Sequence, residues 1–169
     1  KAKNFKVVVD TVNGAAYKAL PELLEKLNCD VIKIHCDNDG TFPRGTEPIP
    51  SHLEDLSKTV TANNADIGFA TDPDADRLAI VDNHGNPIGE ESTLVIALES
   101  YLKYYQDSQK VVTNLSTSMA VDVIAHKYNS TVQRSSVGEI NVVEKMKELN
   151  SSIGGEGNGG VILEESHLG

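Results

Sequence analysis

The spacing of apolar and polar residues predicts a chain in which β-strands and α-helices alternate. In the first half, short β-branched and apolar runs predict strands at residues 5–9, 30–35, 66–70 and 78–81. Helical spacing predicts helices at 14–27 and 51–63. The first of these helices has an apolar stripe made of Ala16, Leu20, Leu23, Leu24 and Leu27.

The second half repeats the rhythm without a residue-level repeat. The pattern predicts helices at 93–105, 118–128 and 137–149, and strands at 110–113, 130–134 and 160–163. Residues 83–87, Asn-His-Gly-Asn-Pro, have turn chemistry and mark a domain boundary. The predicted fold class is therefore α/β: two consecutive α/β domains, 1–86 and 87–169, with mixed, mostly parallel sheets flanked by helices.

Polar residues at the ends of these elements suggest how the chain turns. The segment 37–50, rich in Gly, Pro, Asp and Asn, is predicted to be a long loop. Ser51, with Glu54 three residues later, forms a predicted capping box for the second helix. Asp10 ends the first strand, where it either faces a cleft or caps the following helix.

Composition narrows the class of protein. The 169 residues are 39% apolar and 24% charged, and the net charge of −10 disfavours non-specific nucleic-acid binding. No apolar run approaches the ~20 residues of a membrane helix, so no membrane partner is expected. The spacing of Cys29 and Cys36 fits a reducing cytoplasm. The chain starts without methionine, as expected for a piece of a longer protein.

Three aspartates at alternate positions follow the third predicted strand. Asp72, Asp74 and Asp76 are followed by Arg77 and then by an apolar run. Ligands gather at the carboxyl ends of strands in open α/β sheets, and a divalent cation such as Mg²⁺ would offset the repulsion between carboxylates. An EF-hand counted from Asp72 fails, because its sixth and twelfth places hold Arg77 and Asn83. An aspartyl-nucleophile phosphatase and a solvated acidic turn are the alternatives.

A glycine-rich segment lies near the end of the chain. Residues 153–160 hold five glycines together with Glu156 and Asn158, whose side chains can hydrogen-bond sugar hydroxyls. The segment lacks the Gly-Lys-Ser/Thr of a P-loop, and an apolar strand follows it instead of a helix. A flexible hairpin tip and a binding loop both fit this composition. His167, further on, is interpreted as a surface histidine.

These motifs together resemble the α-D-phosphohexomutase superfamily. Thr-Asp-Pro-Asp-Ala-Asp-Arg at 71–77 is similar to the metal loop of that superfamily, and Gly-Thr-Phe-Pro at 40–43 to its upstream loop. Residues 112–118 resemble the start of its third domain. Residues 136–138 and 154–160 resemble two later loops, of which the second binds the sugar. The resemblance covers the second and third of four domains.

The resemblance implies an activity for the longer parent protein. A phosphoserine on the absent first domain would exchange a phosphoryl group with a hexose phosphate through a hexose bisphosphate, and the absent fourth domain would bind phosphate. Asp72, Asp74 and Asp76 would hold Mg²⁺. Arg77 would be catalytic, contacting the phosphate or the sugar. This 169-residue fragment alone is expected to be inactive. The alternative functions are an aspartyl-nucleophile phosphatase and a non-catalytic metal- or sugar-binding module.

The resemblance also assigns the sugar loop. Gly155, Glu156 and Asn158 would bind the substrate. Asn158 stands where many members have serine, and Glu139-Ile140 stands where many have Phe-Lys. That lysine is a candidate proton donor in some members, so the general acid/base stays open, as does the choice among glucose, mannose and glucosamine phosphates.

Overall fold

Two separate four-stranded sheets organise the chain. The computed structural model describes residues 4–105 and 108–166, so His167 lies outside the described residues. The chain divides into two compact units, Lys1–Glu90 and Glu91–Gly169. None of the helices among the described residues has the length and apolar character that a membrane crossing needs.

The first unit is a mixed sheet with a helix on each face. Its elements in chain order are β1 (Lys6–Asp10), α1 (Ala19–Lys26), β2 (Asp30–Ile34), α2 (Glu54–Ala62), β3 (Ile67–Thr71) and β4 (Leu78–Val81). The strand order is β2-β1-β3-β4, in which β1 pairs in parallel with β2 and β3, and β4 is antiparallel to β3. The carboxyl ends of β1, β2 and β3 therefore lie at one edge of the sheet.

Alternate residues of β1 supply the cores on the two faces of this sheet. Val8 packs with Leu56 and Val60 of α2. Val7 and Val9 belong to a second cluster with Leu24 of α1.

The second unit has the same strand order. Its elements are α3 (Glu91–Tyr105), β5 (Lys110–Asn114), α4 (Ala120–Lys127), β6 (Thr131–Ser135), α5 (Glu139–Leu149), β7 (Ile153–Gly155) and β8 (Val161–Leu163). The order is β6-β5-β7-β8, with only β8 antiparallel to its neighbour. Val111 packs in a cluster with Leu98 of α3, and Val112 in another with Met146 of α5. The predicted fold class is confirmed.

The predicted capping box at Ser51 is wrong. Pro50–His52 forms a 3₁₀ turn, and α2 begins at Glu54 with Leu53 at the N-cap and no side-chain capping bond. Leu53 is 1% exposed, so this start aligns it with Leu56 on the core face of the helix. Burial of an apolar residue therefore outweighs the local capping signal.

Two further local predictions need correction. The first helix begins at Ala19, after a 3₁₀ turn at Ala15–Tyr17, and Leu23 and Leu27 of its predicted stripe are about half exposed. The glycine-rich segment begins as strand β7, although it was predicted to be a loop. Glycine is unfavourable in strands, but at Gly154 an added Cβ would lie 2.6 Å from Met146 Sδ and 2.7 Å from Val112 O. This strand exists because Gly154 leaves room for its neighbours.

Candidate functional site

The acidic loop joins β3 to β4 at the carboxyl edge of the first sheet. Asp72 is buried, whereas Asp74 and Asp76 are exposed. One oxygen from each of the three carboxylates lies within 4.8 Å of the other two. The structure thus brings the three predicted metal ligands together.

Local hydrogen bonds curl the loop back on itself. The Ala75 amide donates to the Asp72 carbonyl at 3.2 Å, and the Arg77 amide donates to Asp72 Oδ1 at 3.1 Å. Ala75 has a left-handed backbone with φ of 68°, which non-glycine residues seldom adopt. This curl brings Asp76 back toward Asp72.

The electrostatics of the loop favour a bound cation. Burial raises the pKa of the Asp72 carboxyl to about 7, and the hydrogen bond with Asp76 and the charges of Asp76 and Asp74 act in the same direction. The Arg77 amide opposes them. Three carboxylates are hard oxygen donors of the kind that Mg²⁺ prefers, and a divalent ion would offset their repulsion. The donor set therefore fits magnesium.

Arg77 lies in an ion-pair network around this loop. Its Nη1 contacts Glu47 Oε2, and its Nε lies 3.7 Å from both Asp72 Oδ2 and Asp76 Oδ1. The side chain is 31% exposed, so part of the guanidinium still faces solvent. A contact between Arg77 and a substrate phosphate stays a prediction.

We expect Glu47→Gln to change stability little. The Glu47 side chain is 52% exposed, and exposed ion pairs contribute less than about 1 kcal/mol. The expected fall in Tm is below about 5 °C by differential scanning calorimetry. Glu54→Gln, which breaks the exposed pair with Lys58, is the matched control. A much larger fall for Glu47→Gln than for the control would show that Glu47 is a structural anchor of its loop.

The backbone at Gly14 and Ala15 packs closely against the acidic loop at Pro73. The Ala15 amide donates to the Pro73 carbonyl at 2.7 Å. A Cβ added to Gly14 would lie 2.5 Å from Pro73 O and 2.7 Å from Pro73 Cα. Gly14 therefore lets two backbone segments meet, one of which carries the three carboxylates.

A buried polar cluster lies at the same edge of the sheet. Asp10 is fully buried, and its Oδ1 accepts a hydrogen bond from the Val12 amide at 2.9 Å. Its Oδ2 lies 3.0 Å from both His35 Nδ1 and Arg44 Nε. Asp10 therefore fixes the turn that follows β1 and pairs with two basic side chains. The expectation that this residue either caps a helix or faces a cleft missed these long-range partners.

The glycine loop of the second unit has its own network. Glu156 Oε1 accepts hydrogen bonds from Asn114 Nδ2 at 2.5 Å and from the Gly138 amide at 2.9 Å. Glu156 Oε2 lies 3.4 Å from Asn158 Nδ2, and Asn158 Oδ1 accepts from the Gly160 amide at 3.1 Å. The predicted sugar-binding side chains thus lie together and join three loops, while Oε2 has a single weak partner among the described residues.

Gly155 allows the glycine loop to close because it has no side chain. It is the last residue of β7, and an added Cβ would collide with Gly160 O and lie 2.8 Å from Leu94 Cδ1. The Glu156 amide donates to this same Gly160 carbonyl at 3.0 Å, which closes the loop. Gly155 therefore shapes the loop, and a direct contact with substrate stays a prediction.

Comparison with known proteins decides the family. Residues 1–85 match the model of phosphoglucomutase/phosphomannomutase α/β/α domain II, and residues 89–168 match that of domain III. The chain belongs to the phosphoglucomutase/phosphomannomutase family. The predicted relationship to the phosphohexomutases is confirmed.

Individual members of the family are also similar to this chain. The chain is 39% identical to a phosphoglucomutase/phosphomannomutase of Thermococcus kodakarensis, over 96% of this chain and 36% of the relative. It is 36% identical to a phosphoglucosamine mutase of Caldicellulosiruptor bescii, over 95% and 36%. A crystal structure of a family protein from Burkholderia thailandensis superposes with a TM-score of 0.89 at 26% identity, over 99% of this chain and 37% of that one. The chain thus spans about a third of the length of these relatives.

Sequence reasoning missed three residues that organise the two loops of this family member. Gly14 was predicted to be the first residue of a helix, although it follows Asn13 and such a pair is typical of a turn. Arg44 lies in the segment 37–50, which was predicted only to be a long loop. Asn114 accepts hydrogen bonds at Oδ1 from Ser116 and Thr117 and donates to Glu156, which ties β5 to the glycine loop. Its position at the end of a predicted strand was the available signal.

Proposed function

We propose that this chain is the central part of a magnesium-dependent phosphohexomutase, with the metal loop in domain 1–86 and the sugar loop in domain 87–169. The observation that carries the proposal is the convergence of Asp72, Asp74 and Asp76 within 4.8 Å at the carboxyl edge of a family-matched unit. The parent enzyme moves a phosphoryl group between the 1- and 6-positions of a hexose phosphate through a phosphoserine and a hexose bisphosphate.

The acidic loop would hold Mg²⁺ next to the migrating phosphoryl group. When bound, the ion supplies positive charge that offsets charge on the phosphoryl oxygens. Asp72 is held ready for this task, because the Arg77 amide fixes its Oδ1. The Arg77 guanidinium would orient an anionic oxygen through its planar fork of donors.

The glycine loop would orient the sugar. Within residues 4–105 and 108–166, Glu156 Oε2 has one weak partner, Asn158 Nδ2 at 3.4 Å, so it can accept a hydrogen bond from a sugar hydroxyl. Asn158 lies beside it and can donate and accept. Further domains of the same chain would supply the phosphoserine and the phosphate-binding loop, and the parent enzyme is expected to work in the cytoplasm. The proposal covers glucose, mannose and glucosamine phosphates equally.

An assay of the longer parent protein tests this function. We expect it to convert hexose 1-phosphate into hexose 6-phosphate with Mg²⁺ and a catalytic amount of hexose bisphosphate, and EDTA should stop turnover. The 169-residue chain under the same conditions should give no isomer. Turnover by the fragment, or none by the parent with any of the three sugars, would contradict the proposal. Release of phosphate from p-nitrophenyl phosphate by the fragment would favour an aspartyl-nucleophile phosphatase.

Two substitutions at Glu156 separate its structural role from its proposed binding role. Glu156→Ala leaves the Gly138 amide and Asn114 Nδ2 without their acceptor, which should cost about 1–3 kcal/mol in urea unfolding. Glu156→Gln retains an acceptor oxygen and should unfold like the wild type. In the parent enzyme the Gln variant should nevertheless raise KM for the hexose phosphate. An unchanged KM would assign Glu156 to structure alone.

A further inference from the structure

Arg44 is an arginine buried next to the acidic loop. Its side chain is 4% exposed, and its Nε lies 3.0 Å from Asp10 Oδ2. Its Nη2 donates to the Thr71 carbonyl at 2.5 Å. Thr71 ends β3 and directly precedes Asp72. A single guanidinium thus joins the end of β1 to the start of the acidic loop.

The residues around Asp72 are held from both sides. Arg44 binds the Thr71 carbonyl on one side, and the Ala15 amide binds the Pro73 carbonyl at 2.7 Å on the other. Asp10 holds the Arg44 side chain in a fixed position, because Asp10 is fully buried and its Oδ1 accepts a hydrogen bond from the Val12 amide. Loop backbone that is pinned on each side of a buried carboxylate has little freedom to move.

We propose that Arg44 is a positioning residue. It is paired with the buried Asp10 and binds the Thr71 carbonyl, and in this way it fixes the start of the acidic loop before any ion binds. Arg44 itself contacts none of the three carboxylates in this role. Two different nitrogens are used: Nε forms an ion pair with Asp10 at 3.0 Å without a hydrogen bond, and Nη2 donates to the Thr71 carbonyl. A lysine ammonium offers a single charged nitrogen for both partners. The consequence for magnesium affinity rests on the proposed function, whereas the ordering of the loop does not.

Arg44→Lys tests this proposal in the 169-residue chain. Lysine keeps a cation opposite Asp10 but cannot hold both partners. We expect the Ala75 and Arg77 amides, which bond to Asp72, to exchange with deuterium at least about tenfold faster in metal-free buffer, as measured by NMR. The amides of β1 should keep wild-type protection. Unchanged exchange at Ala75 and Arg77 would overturn the proposal.

The matched control is Arg134→Lys. Arg134 lies in the second unit and likewise bridges backbone carbonyls, those of Asn114 and Thr117, and an aspartate, Asp122. Its replacement should leave exchange in the acidic loop unchanged. Should Arg44→Lys lower the Tm enough to unfold the first unit, Asp10→Asn combined with Arg44→Gln removes both buried charges together. Faster loop exchange in a folded double variant is the expected result, and wild-type exchange overturns the proposal.

A titration with MgCl₂, followed by NMR shifts of the loop amides, adds the metal readout. Loss of a residue that positions metal ligands typically weakens metal binding 10–100-fold, so Arg44→Lys should raise the Kd for Mg²⁺ by at least about tenfold. A wild-type chain that binds no Mg²⁺ would count against the proposed function, and the exchange result would still decide the role of Arg44. Equal Mg²⁺ affinity together with equal exchange in the wild type and the Lys variant would reject the clamp.

Discussion

Replacing Asp72 by asparagine is expected to remove Mg²⁺ binding from the acidic loop while the fold stays intact. Asp72 is the buried member of the three carboxylates. Mutating a residue that only supports a metal ligand typically weakens metal binding about 10–100-fold. Loss of a direct ligand should therefore raise the Kd for Mg²⁺ at least about 100-fold. Isothermal titration calorimetry on the wild type and the variant measures this change.

The same substitution should not destabilise the metal-free chain. Asparagine keeps an oxygen that can accept from the Arg77 amide, and removing one of three clustered negative charges relieves their repulsion. We therefore expect a Tm equal to or above that of the wild type without magnesium. Asp66→Asn removes one charge from the same unit, outside the loop, and is the control. Wild-type Mg²⁺ affinity in Asp72→Asn would exclude these aspartates as the metal site.

Gly14→Ala should weaken both the fold and the metal site. The Gly14 backbone, with φ of −94°, suits any residue, so the effect comes from collision alone. The new Cβ would meet Pro73 backbone atoms at 2.5, 2.7 and 3.0 Å, and a backbone cannot move aside as a side chain can. Overpacking of this kind costs about 1–3 kcal/mol, which urea unfolding would measure. The displaced loop should also bind Mg²⁺ more weakly.

Gly68→Ala is the matched control for that experiment. An added Cβ at Gly68 would lie 2.8 Å from Val60 Cγ2 and 3.0 Å from Leu56 Cδ1, within the same unit but against side chains. It should lower stability while Mg²⁺ affinity stays as in the wild type. If Gly14→Ala also kept wild-type affinity, the contact between Gly14 and Pro73 would serve stability only.

Local patterns in the sequence were enough to predict the fold class and to place the acidic loop. The apolar run at Leu78–Val81 matches β4 residue for residue, because a short apolar run that ends in two β-branched residues and is flanked by polar residues favours a strand. Alternate aspartates after a strand predicted a candidate metal site without knowledge of any tertiary contact. Such features depend on neighbours in the chain, which the sequence displays directly.

Features that depend on distant partners escaped prediction. Gly14 matters because Pro73 approaches it, and Arg44 matters because Asp10 and Thr71 meet it. Strand β7 forms at glycines because Val112 and Met146 fill the space beside it. In each case a contact between residues far apart in the chain overrides the local preference, and no local pattern encodes that contact.

The shared strand order makes the acidic loop and the glycine loop counterparts, since each joins the third strand of its sheet to the antiparallel fourth. The two units also share a turn contact. Strands β1 and β5 end at Asp10 and Asn114, and the Oδ1 atom of each accepts a hydrogen bond from the backbone amide two residues later in the chain. In both units a polar side chain at the end of the first strand therefore fixes the turn that follows it. The sheet order does not depend on the residues of the connecting loop, since Asp72–Arg77 and Glu156–Gly160 differ in sequence while both join parallel to antiparallel strands.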